Sequence, residues 1–359
     1  MKSIFRSIKK ILHSKQNRAS AKKKKNKKLT FAQKLRKTAR YFSLIVFALW
    51  LTLSLVGNWY VHHPQQWLKD NRSFLTAPLE YFGNRFAIFS DAMGFMGHDA
   101  VYESDEPAPE GQVFFAGKPV RVDNPAPDDV IVLNRDNFVV GWSPKNKCPS
   151  WVAYHVTKES RHDVQDRPNF QRDKMAPNCP PANALARSGY DRGHMAPNHA
   201  IVSRYGTDAQ KMTFLMSNIA PQRPSLNSGI WRELEHSIAN FWTARYGEIW
   251  VIVGTIFNPE MRQVIGGSGI SVPDSFYMLI LAQEGVNVRS LAVVVPQEIP
   301  YNAFPLHYIV TINELEQMTG YDFLSDLPNF IERPLESDRP TRLWPIRYRD
   351  IFKLFSLRF

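Results

Sequence analysis

Residue types that can do acid–base and metal chemistry cluster in two short stretches. YDRGHMAPN (190–198) places an acid, a base, a glycine and an imidazole in consecutive positions, from Asp191 to His194. A lone Asp-Arg-Gly-His would also fit a β-turn with a surface histidine. A second polar block, at 214–235, favours a functional site because it supplies further amide and carboxyl oxygens within 18 positions, on Asn218, Gln222, Asn227 and Glu235.

Phosphodiester hydrolysis is the chemistry that uses this set. A histidine can take a proton from water near neutral pH. Mg²⁺ prefers oxygen ligands and keeps most of its waters, so one asparagine oxygen and an acid near the hydration shell suffice, and Mn²⁺ is an alternative ion. Arginine side chains clamp phosphate. Asn227 and Glu235 are eight positions apart at a predicted helix start, which puts them on about one face, about 12 Å apart along the axis.

The order of the motifs resembles a known family. DRGHMAPN followed by SNIAPQ and LNSGIWRELE is similar to the DNA/RNA non-specific endonuclease family, and WVAYHVTKES and TGYDFLSDLP resemble flanking segments of it. The resemblance covers about residues 112–328. It implies a ββα-metal (His-Me finger) active site in an α+β domain, and a Mg²⁺-dependent hydrolysis of DNA and RNA that leaves 5′-phosphate ends. It also implies a homodimer as a candidate assembly.

The resemblance implies roles for matched positions. His194 corresponds to the general base that activates water. Asn227 corresponds to the protein ligand of Mg²⁺, and Glu235 to the acid that orders its hydration shell. Arg192 and Asn218 match residues that position phosphate and support the ion.

Arginines outside these motifs align less closely. Arg167 matches the arginine that stabilises the transition state, and Arg172 is the competing candidate because the loop aligns loosely. The family often has another arginine one turn beyond the acid, where this chain has Ala239. The resemblance therefore leaves that phosphate contact either absent or supplied by Arg232 or Arg245.

Neighbouring residues receive supporting interpretations. Asp191 is expected to orient the loop without doing chemistry, and Trp231 to pack in the core beside the site. His155 lies on a predicted strand and is expected to be structural. His199 and His236 flank the site as candidate substrate contacts. A zinc site formed by His194 and His199 is not expected, because no cysteine spacing supports one.

Charge is very unevenly distributed. The formal net charge is +12, yet residues 1–40 hold 16 Lys and Arg and no acid, which leaves +12 − 16 = −4 for residues 41–359. The basic balance therefore describes a tail, and nucleic-acid binding by the main domain must depend on a local site. This charge keeps open a second function class, a catalytically silent nucleic-acid-binding or uptake protein on the same fold.

An uncharged stretch follows the basic tail. Residues 41–61 carry no charged side chain, which is long enough for one helix across a bilayer core of about 30 Å. The basic tail predicts that the N-terminus is cytoplasmic, with residues 62–111 as a stalk or linker that lies near the membrane or packs on the main domain. We predict a bacterial inner-membrane protein with an extracytoplasmic nuclease domain; the mitochondrial inner membrane is the alternative.

The remaining sequence predicts a single α+β domain. Apolar runs at 248–257, 275–283 and 290–297 indicate buried strands, and a 3.6-residue apolar period predicts a helix from Asn227 to about Tyr246. Few βαβ units occur, so a mainly antiparallel sheet is expected. The extension at 329–359 is either an interfacial membrane element or a packed strand or helix. Two cysteines, Cys148 and Cys179, leave a disulfide open.

Overall fold

A computed structural model describes most of the chain beyond residue 85. The described residues are 41, 43–45, 47–52, 55 and 86–350, with gaps at 88, 96, 105–107, 110, 123–129, 159–161, 163–165, 259, 261 and 302. The chain divides into two units, residues 1–60 with 65–83 and residues 61–64 with 84–359. The predicted cytoplasmic tail at 1–40 and the last nine residues of the C-terminal extension lie outside the described residues.

The predicted membrane crossing at 41–61 is described only in part. Each residue described there is helical. Among the residues that the structure describes, no helix is both long enough and apolar enough to cross a membrane.

Strands form the centre of the second unit. In chain order they are β1 (Ala100–Glu103), β2 (Val120–Arg121), β3 (Ile131–Asn134), β4 (Phe138–Ser143), β5 (Cys148–Thr157), β6 (Asp191–His194), β7 (Ile219–Gln222), β8 (Glu248–Ile256), β9 (Gln263–Ile265), β10 (Ile270–Val272), β11 (Ser275–Glu284), β12 (Asn287–Pro296), β13 (Ile309–Val310) and β14 (Tyr321–Asp322). The main sheet has eight strands in the order β1-β12-β11-β8-β5-β4-β3, with β13 also on β12, and every pairing is antiparallel. The pairs β9–β10, β2–β14 and β6–β7 form three small sheets.

Both faces of the main sheet are buried. Along β8, Ile249, Val251 and Val253 point into one hydrophobic core, which we call the first core. Trp250 and Ile252 point into the other, the second core. This alternation is the two-residue period of a strand, and burial on both faces explains why these strands are continuous apolar runs in the sequence. The three predicted buried strands and the antiparallel α+β architecture are confirmed.

Helices cover the two faces. They are α1 (Asn198–Thr213), α2 (224–246), α3 (Ile312–Thr319) and α4 (Asn329–Ser337). The helix α2 alternates α-helical stretches with π-helical turns at Asn227–Trp231 and Ser237–Trp242. It starts earlier than predicted because Pro224 occupies its first turn, where a missing N–H is tolerated. It ends as predicted at Tyr246, before Gly247 with φ 93°.

The segments on either side of the predicted domain pack on it. Strand β1 comes from the predicted linker at 62–111, and Ala100 opposite Ser290 is fully buried. The extension contributes Leu335 to the second core, and its Trp344 packs on Trp242 in the first, with ring centroids 5.4 Å apart. As far as they are described, both segments therefore follow the packed alternative.

The two cysteines are free thiols. Cys148, on β5, is fully buried, and Cys179 is 1% exposed. Both contribute to the first core. The disulfide that the sequence left open is therefore not formed in this structure.

Candidate active site

A two-stranded sheet and the start of α2 carry the predicted motifs. Strand β6 pairs antiparallel with β7, with His194 opposite Ile219 and Asp191 opposite Gln222. The helix α1 connects the two strands, and α2 follows β7 directly. This ββα unit brings the DRGH stretch beside the start of α2, so the two sequence blocks form one site.

Position 193 requires a glycine because the Gln222 side chain packs closely against it. A Cβ atom on Gly193 would lie 2.0 Å from Oε1 and 2.3 Å from Cδ of Gln222. The Gln222 side chain is fully buried, so it has little room to move aside. The sequence argument that a Cβ would block an approach here is correct, and the group it would strike is the Gln222 carboxamide.

The side chain of Asn227 is held by Asp191. Nδ2 of Asn227 donates a hydrogen bond to Oδ2 of Asp191 at 3.0 Å. An ionised carboxylate only accepts hydrogen bonds, so it selects the amide nitrogen and leaves the asparagine oxygen to face elsewhere. Asp191 therefore fixes the orientation of the predicted metal ligand, which is more specific than the loop-orienting role expected for it.

The imidazole of His194 lies between two aromatic rings. Its centroid is 5.5 Å from that of Phe170 and 4.9 Å from that of Phe214. Burial, and secondly the positive charge of Arg167, lower the pKa of His194 to about 3. The buried Nε2 atom has no hydrogen-bond partner within the described structure. The ring is therefore neutral near pH 7, and one of its nitrogens can accept a proton.

Glu235 experiences the opposite shift. Burial raises the pKa of Glu235 to about 8, while the Trp231 indole and the charge of Arg167 act in the other direction. A buried carboxyl group of this kind favours its neutral form unless a cation compensates the charge. Trp231 is fully buried against Phe276, as the sequence interpretation expected.

A cleft of about 520 Å³ unites these groups. Its lining includes the predicted residues Asp191, Arg192, His194, Asn227 and Glu235. Three arginines and two carboxyl groups face the cleft, which suits an anionic ligand. The charged lining residues are Arg167, Arg192, Arg232, Asp191 and Glu235.

The donor set of the cleft fits a hard divalent cation. The oxygen of Asn227 is directed away from Asp191, and the Glu235 carboxyl lines the same cleft. Asn198, at the first position of α1, is only 8% exposed. Its buried amide oxygen has no hydrogen-bond partner in the described structure. Amide and carboxylate oxygens are the ligands that Mg²⁺ and Mn²⁺ prefer.

Comparison with known proteins identifies the family. The sequence profile of the DNA/RNA non-specific endonucleases matches residues 116–330, which is more than half of the chain. The chain belongs to this family.

Named nucleases are among its relatives. Human mitochondrial nuclease EXOG is 31% identical over 210 residues, which are 53% of this chain and 56% of that protein. Human mitochondrial endonuclease G is 31% identical over 56% of this chain and 70% of that protein. A nuclease of Nostoc sp. is 28% identical over 59% of this chain and 79% of that protein. The match thus spans only about half the length of the EXOG relative.

A solved structure supports the same fold. A chain in the crystal structure of the EndoG/EndoGI complex superposes with a TM-score of 0.53 at 26% identity, over 63% of this chain and 95% of that one. The endonuclease G-like α+β fold with a central antiparallel sheet is therefore shown for the matched region.

The two arginines that the family alignment left open differ in position. Arg167 lines the cleft, whereas Arg172 is exposed and is not part of the lining. Arg232 and Ala239 also line the cleft. Arg245 instead donates to the backbone oxygen of Ile346 at 3.5 Å.

The side chain of Asn218 is bonded to backbone groups. It is fully buried and outside the cleft lining. Its Oδ1 accepts from the Ala196 N–H at 2.8 Å, and its Nδ2 donates to the oxygens of Ala196 and Thr213 at 3.0 Å each. Asn218 therefore braces the backbone just after His194.

Other site residues had weak signals in the sequence. His199 and His236 both line the cleft, as the interpretation of them as flanking residues expected. His155 is structural, because it stacks on Trp250 at 4.8 Å between centroids. Phe170 was missed, although its ring contacts His194 and also lies 4.5 Å beneath the Arg192 guanidinium. No periodicity marks an aromatic residue in an irregular loop, so no sequence signal identified Phe170.

Proposed function

We propose that this chain is a metal-dependent endonuclease that hydrolyses phosphodiester bonds of both DNA and RNA and leaves 5′-phosphate and 3′-hydroxyl ends. One observation carries the proposal. A neutral imidazole shares one arginine-lined cleft with an asparagine whose oxygen is oriented by a carboxylate. The family membership of the chain supports the same reaction class.

His194 acts as the general base. It is neutral at physiological pH, so it can take a proton from a water molecule that attacks phosphorus. Phe170 and Phe214 pack against the His194 ring, which restricts its tilt and so fixes the direction of its accepting nitrogen. Asn218 supports this placement from behind through the backbone of Ala196.

Asn227 and Glu235 would hold the cation, with Mg²⁺ as the expected ion and Mn²⁺ as its substitute. When bound, the ion neutralises charge on the phosphate and on the leaving oxygen. Asp191 presents the amide oxygen of Asn227 toward the cleft. Glu235 needs a nearby positive charge to ionise at neutral pH, which a cation in the same cleft supplies.

The arginines bind the substrate backbone. Arg167, Arg192 and Arg232 line the cleft. Guanidinium groups clamp phosphate oxygens, and phosphate contacts carry no base or sugar information. We therefore expect low sequence specificity and cleavage of both DNA and RNA.

We also propose that residues 41–61 anchor the nuclease domain outside the cytoplasm of a bacterial cell. The 16 basic residues of 1–40 and the uncharged stretch after them support this orientation. The alternative is the mitochondrial inner membrane, and EXOG and endonuclease G of human are named mitochondrial. Green fluorescent protein fused to either terminus, with membrane fractionation, distinguishes these cases. Light scattering tests the homodimer.

The decisive experiment incubates the purified full chain in detergent with supercoiled plasmid or RNA, in Mg²⁺ or EDTA. Wild type is compared with His194→Ala and Asn227→Ala. A matched control is His162→Ala, an exposed histidine outside the cleft lining. We expect Mg²⁺-dependent cutting of both substrates by wild type and the control only. If the wild type binds nucleic acid without cutting it, the result would instead favour a catalytically silent nucleic-acid-binding or uptake protein.

A further inference from the structure

An irregular loop precedes β6 and carries Phe170 into the site. Its described part, residues 166–190, contains no helix, and its β pairing is limited to an isolated bridge at Gln171. The Phe170 ring packs against the His194 imidazole, and its centroid lies 4.5 Å from the Arg192 guanidinium. Because the loop lacks the hydrogen-bond ladder of a helix or sheet, its position depends on a few specific contacts.

Two backbone hydrogen bonds join this loop to the segment just before β7. The Gln171 N–H donates to the Phe214 oxygen at 3.0 Å, and the Met216 N–H donates to the Gln171 oxygen at 2.9 Å. The rings of Phe170 and Phe214 meet beside these bonds, with centroids 4.9 Å apart. Both rings also contact His194. The junction of the two segments therefore forms the aromatic surroundings of the proposed general base.

A buried carboxylate lies two positions beyond the bridge. Among residues 166–175, all of which are described, Asp173 alone is buried, with 3% exposure. Its Oδ2 accepts hydrogen bonds from the Arg135 guanidinium and the Ser217 hydroxyl, and its Oδ1 accepts from the Met175 N–H at 2.9 Å. Arg135 belongs to the hairpin between β3 and β4. Asp173 thus ties the loop to the main sheet and to the segment before β7.

The burial of this ion pair favours a positioning role over one in stability alone. The side chains of Arg135 and Asp173 are only 5% and 3% exposed, so both charges have lost most of their water. Apolar side chains of similar volume often give equal or greater stability than a buried ion pair, because they avoid that loss of hydration. What the carboxylate adds is direction, since its two oxygens accept hydrogen bonds from three separate donors.

We propose that Asp173 is a positioning residue for phosphodiester cleavage, which holds Phe170 against His194 and Arg192. Asp173 is not among the residues that line the cleft, so it acts through the ring and not on the substrate. The ring restricts the tilt of the base and supports the arginine through a cation–π contact. The kinetic part of this inference rests on the proposed function of the cleft.

A double-mutant cycle in the full chain tests the coupling. Plasmid cleavage in Mg²⁺ compares wild type, Asp173→Asn, Phe170→Ala and the double variant. Asparagine keeps the shape of the side chain but removes the charge that pairs with Arg135. We expect Asp173→Asn to lower kcat roughly 10–100-fold by itself, and by at most about twofold when Phe170 is already alanine. An unchanged kcat in Asp173→Asn, or equal losses in both backgrounds, would overturn the proposal.

Asp99→Asn is the matched control. The Asp99 side chain is 6% exposed and forms ion pairs with Arg289 and Arg342, and none of these three residues lines the cleft. Both substitutions should lower the thermal midpoint, because each leaves buried arginine without its partner charge. Asp173→Asn should lower kcat, whereas Asp99→Asn should not. A similar fall in kcat for Asp99→Asn would assign the effect to lost stability and overturn the proposal.

The magnetic environment of His194 provides a readout that does not require activity. Ring currents from the adjacent aromatic side chains shift the resonance of its Cε1 proton, which is assigned in histidine-labelled protein by comparison with His194→Gln. Asp173→Asn should move this resonance toward its position in Phe170→Ala. Asp99→Asn should leave it in place. An unmoved resonance in folded Asp173→Asn would show that the carboxylate does not position the ring.

A milder substitution keeps the test available if Asp173→Asn does not fold. Ser217→Ala removes one hydrogen bond to the Asp173 carboxylate and leaves the ion pair in place. It should move the His194 resonance in the same direction, by a smaller amount, and no movement would overturn the proposal. If wild type cuts no nucleic acid, the proposed function fails, and the resonance still decides whether Asp173 holds Phe170 on His194.

Discussion

Asp191 and Asn227 are joined by a hydrogen bond of 3.0 Å that links the first strand of the ββα unit to the start of its helix. The contact spans 36 positions of sequence. It orients the asparagine through its nitrogen and so makes the oxygen available. The Asp191 carboxylate thus orients the side chain of the proposed metal ligand.

Replacing Asp191 by alanine should weaken metal binding more than catalysis. Asn227 would be free to rotate, so we expect the half-saturating Mg²⁺ concentration to rise about 10–100-fold, with partial recovery of kcat at high Mg²⁺. Plasmid cleavage over a Mg²⁺ series measures this. The exposed Asp208→Ala is the control. An unchanged Mg²⁺ requirement in Asp191→Ala would show that this hydrogen bond does not orient the ligand.

Adding a methyl group at Gly193 should destabilise the fold. The Cβ would meet Gln222 Oε1 at 2.0 Å, and we expect a loss of about 1–3 kcal/mol in the free energy of unfolding. Gly266→Ala is the control, because nothing lies within 4 Å of its Cβ position. Urea unfolding also tests the double variant Gly193→Ala/Gln222→Ala. If shortening Gln222 restores none of the lost stability, the clash is not the cause.

Truncating Asn218 should affect both stability and turnover. Asn218→Ala removes the buried acceptor of the Ala196 N–H and one donor to each of two backbone oxygens, and an unsatisfied buried group costs about 1–3 kcal/mol. The segment carrying His194 then loosens, so kcat should fall while KM for nucleic acid changes little. Steady-state kinetics and chemical unfolding check this. Exposed Asn287→Ala should change neither, and a large rise in KM alone would point to a direct phosphate contact.

Stability should depend on pH through His194. Its folded pKa of about 3 lies below the usual 6.5, so between these values only the unfolded chain holds the proton. The free energy of unfolding therefore falls as the pH falls from 6.5 toward 3, by up to about 1.4 kcal/mol per pH unit. His194→Gln should flatten this slope in urea titrations without metal, whereas His162→Gln should not. Equal slopes in wild type and His194→Gln would contradict the burial of a neutral imidazole.

Residues with a local chemical signature were predictable. His194, Asn227 and Glu235 were selected from their side-chain chemistry and their nearness to turn and helix signals, and all three line one cleft. The helix from Asn227 to Tyr246 was also predictable from the sequence, although its π-helical turns were not. A π turn shifts the backbone hydrogen bonds by one residue but changes the apolar pattern too little to be detected in the sequence.

Residues whose role depends on a distant partner were not predictable. The amide side chain of Asn218 is of a type that can bind phosphate. In the structure this amide instead makes hydrogen bonds to backbone groups that only the folded β6–β7 pair brings near. Arg167 and Arg172 are five positions apart in one irregular loop, so no spacing distinguishes them. Only the position of the cleft does.

The amino-acid sequence by itself determined the reaction class and the antiparallel α+β core, because strand alternation, apolar helix periodicity and side-chain chemistry are local properties. The tertiary structure decided which carboxylate orients Asn227, which arginine faces the cleft, that both cysteines stay free, and that Asp173 meets Arg135 and Ser217. Those outcomes depend on side-chain direction and burial, which arise from contacts between segments far apart in the chain.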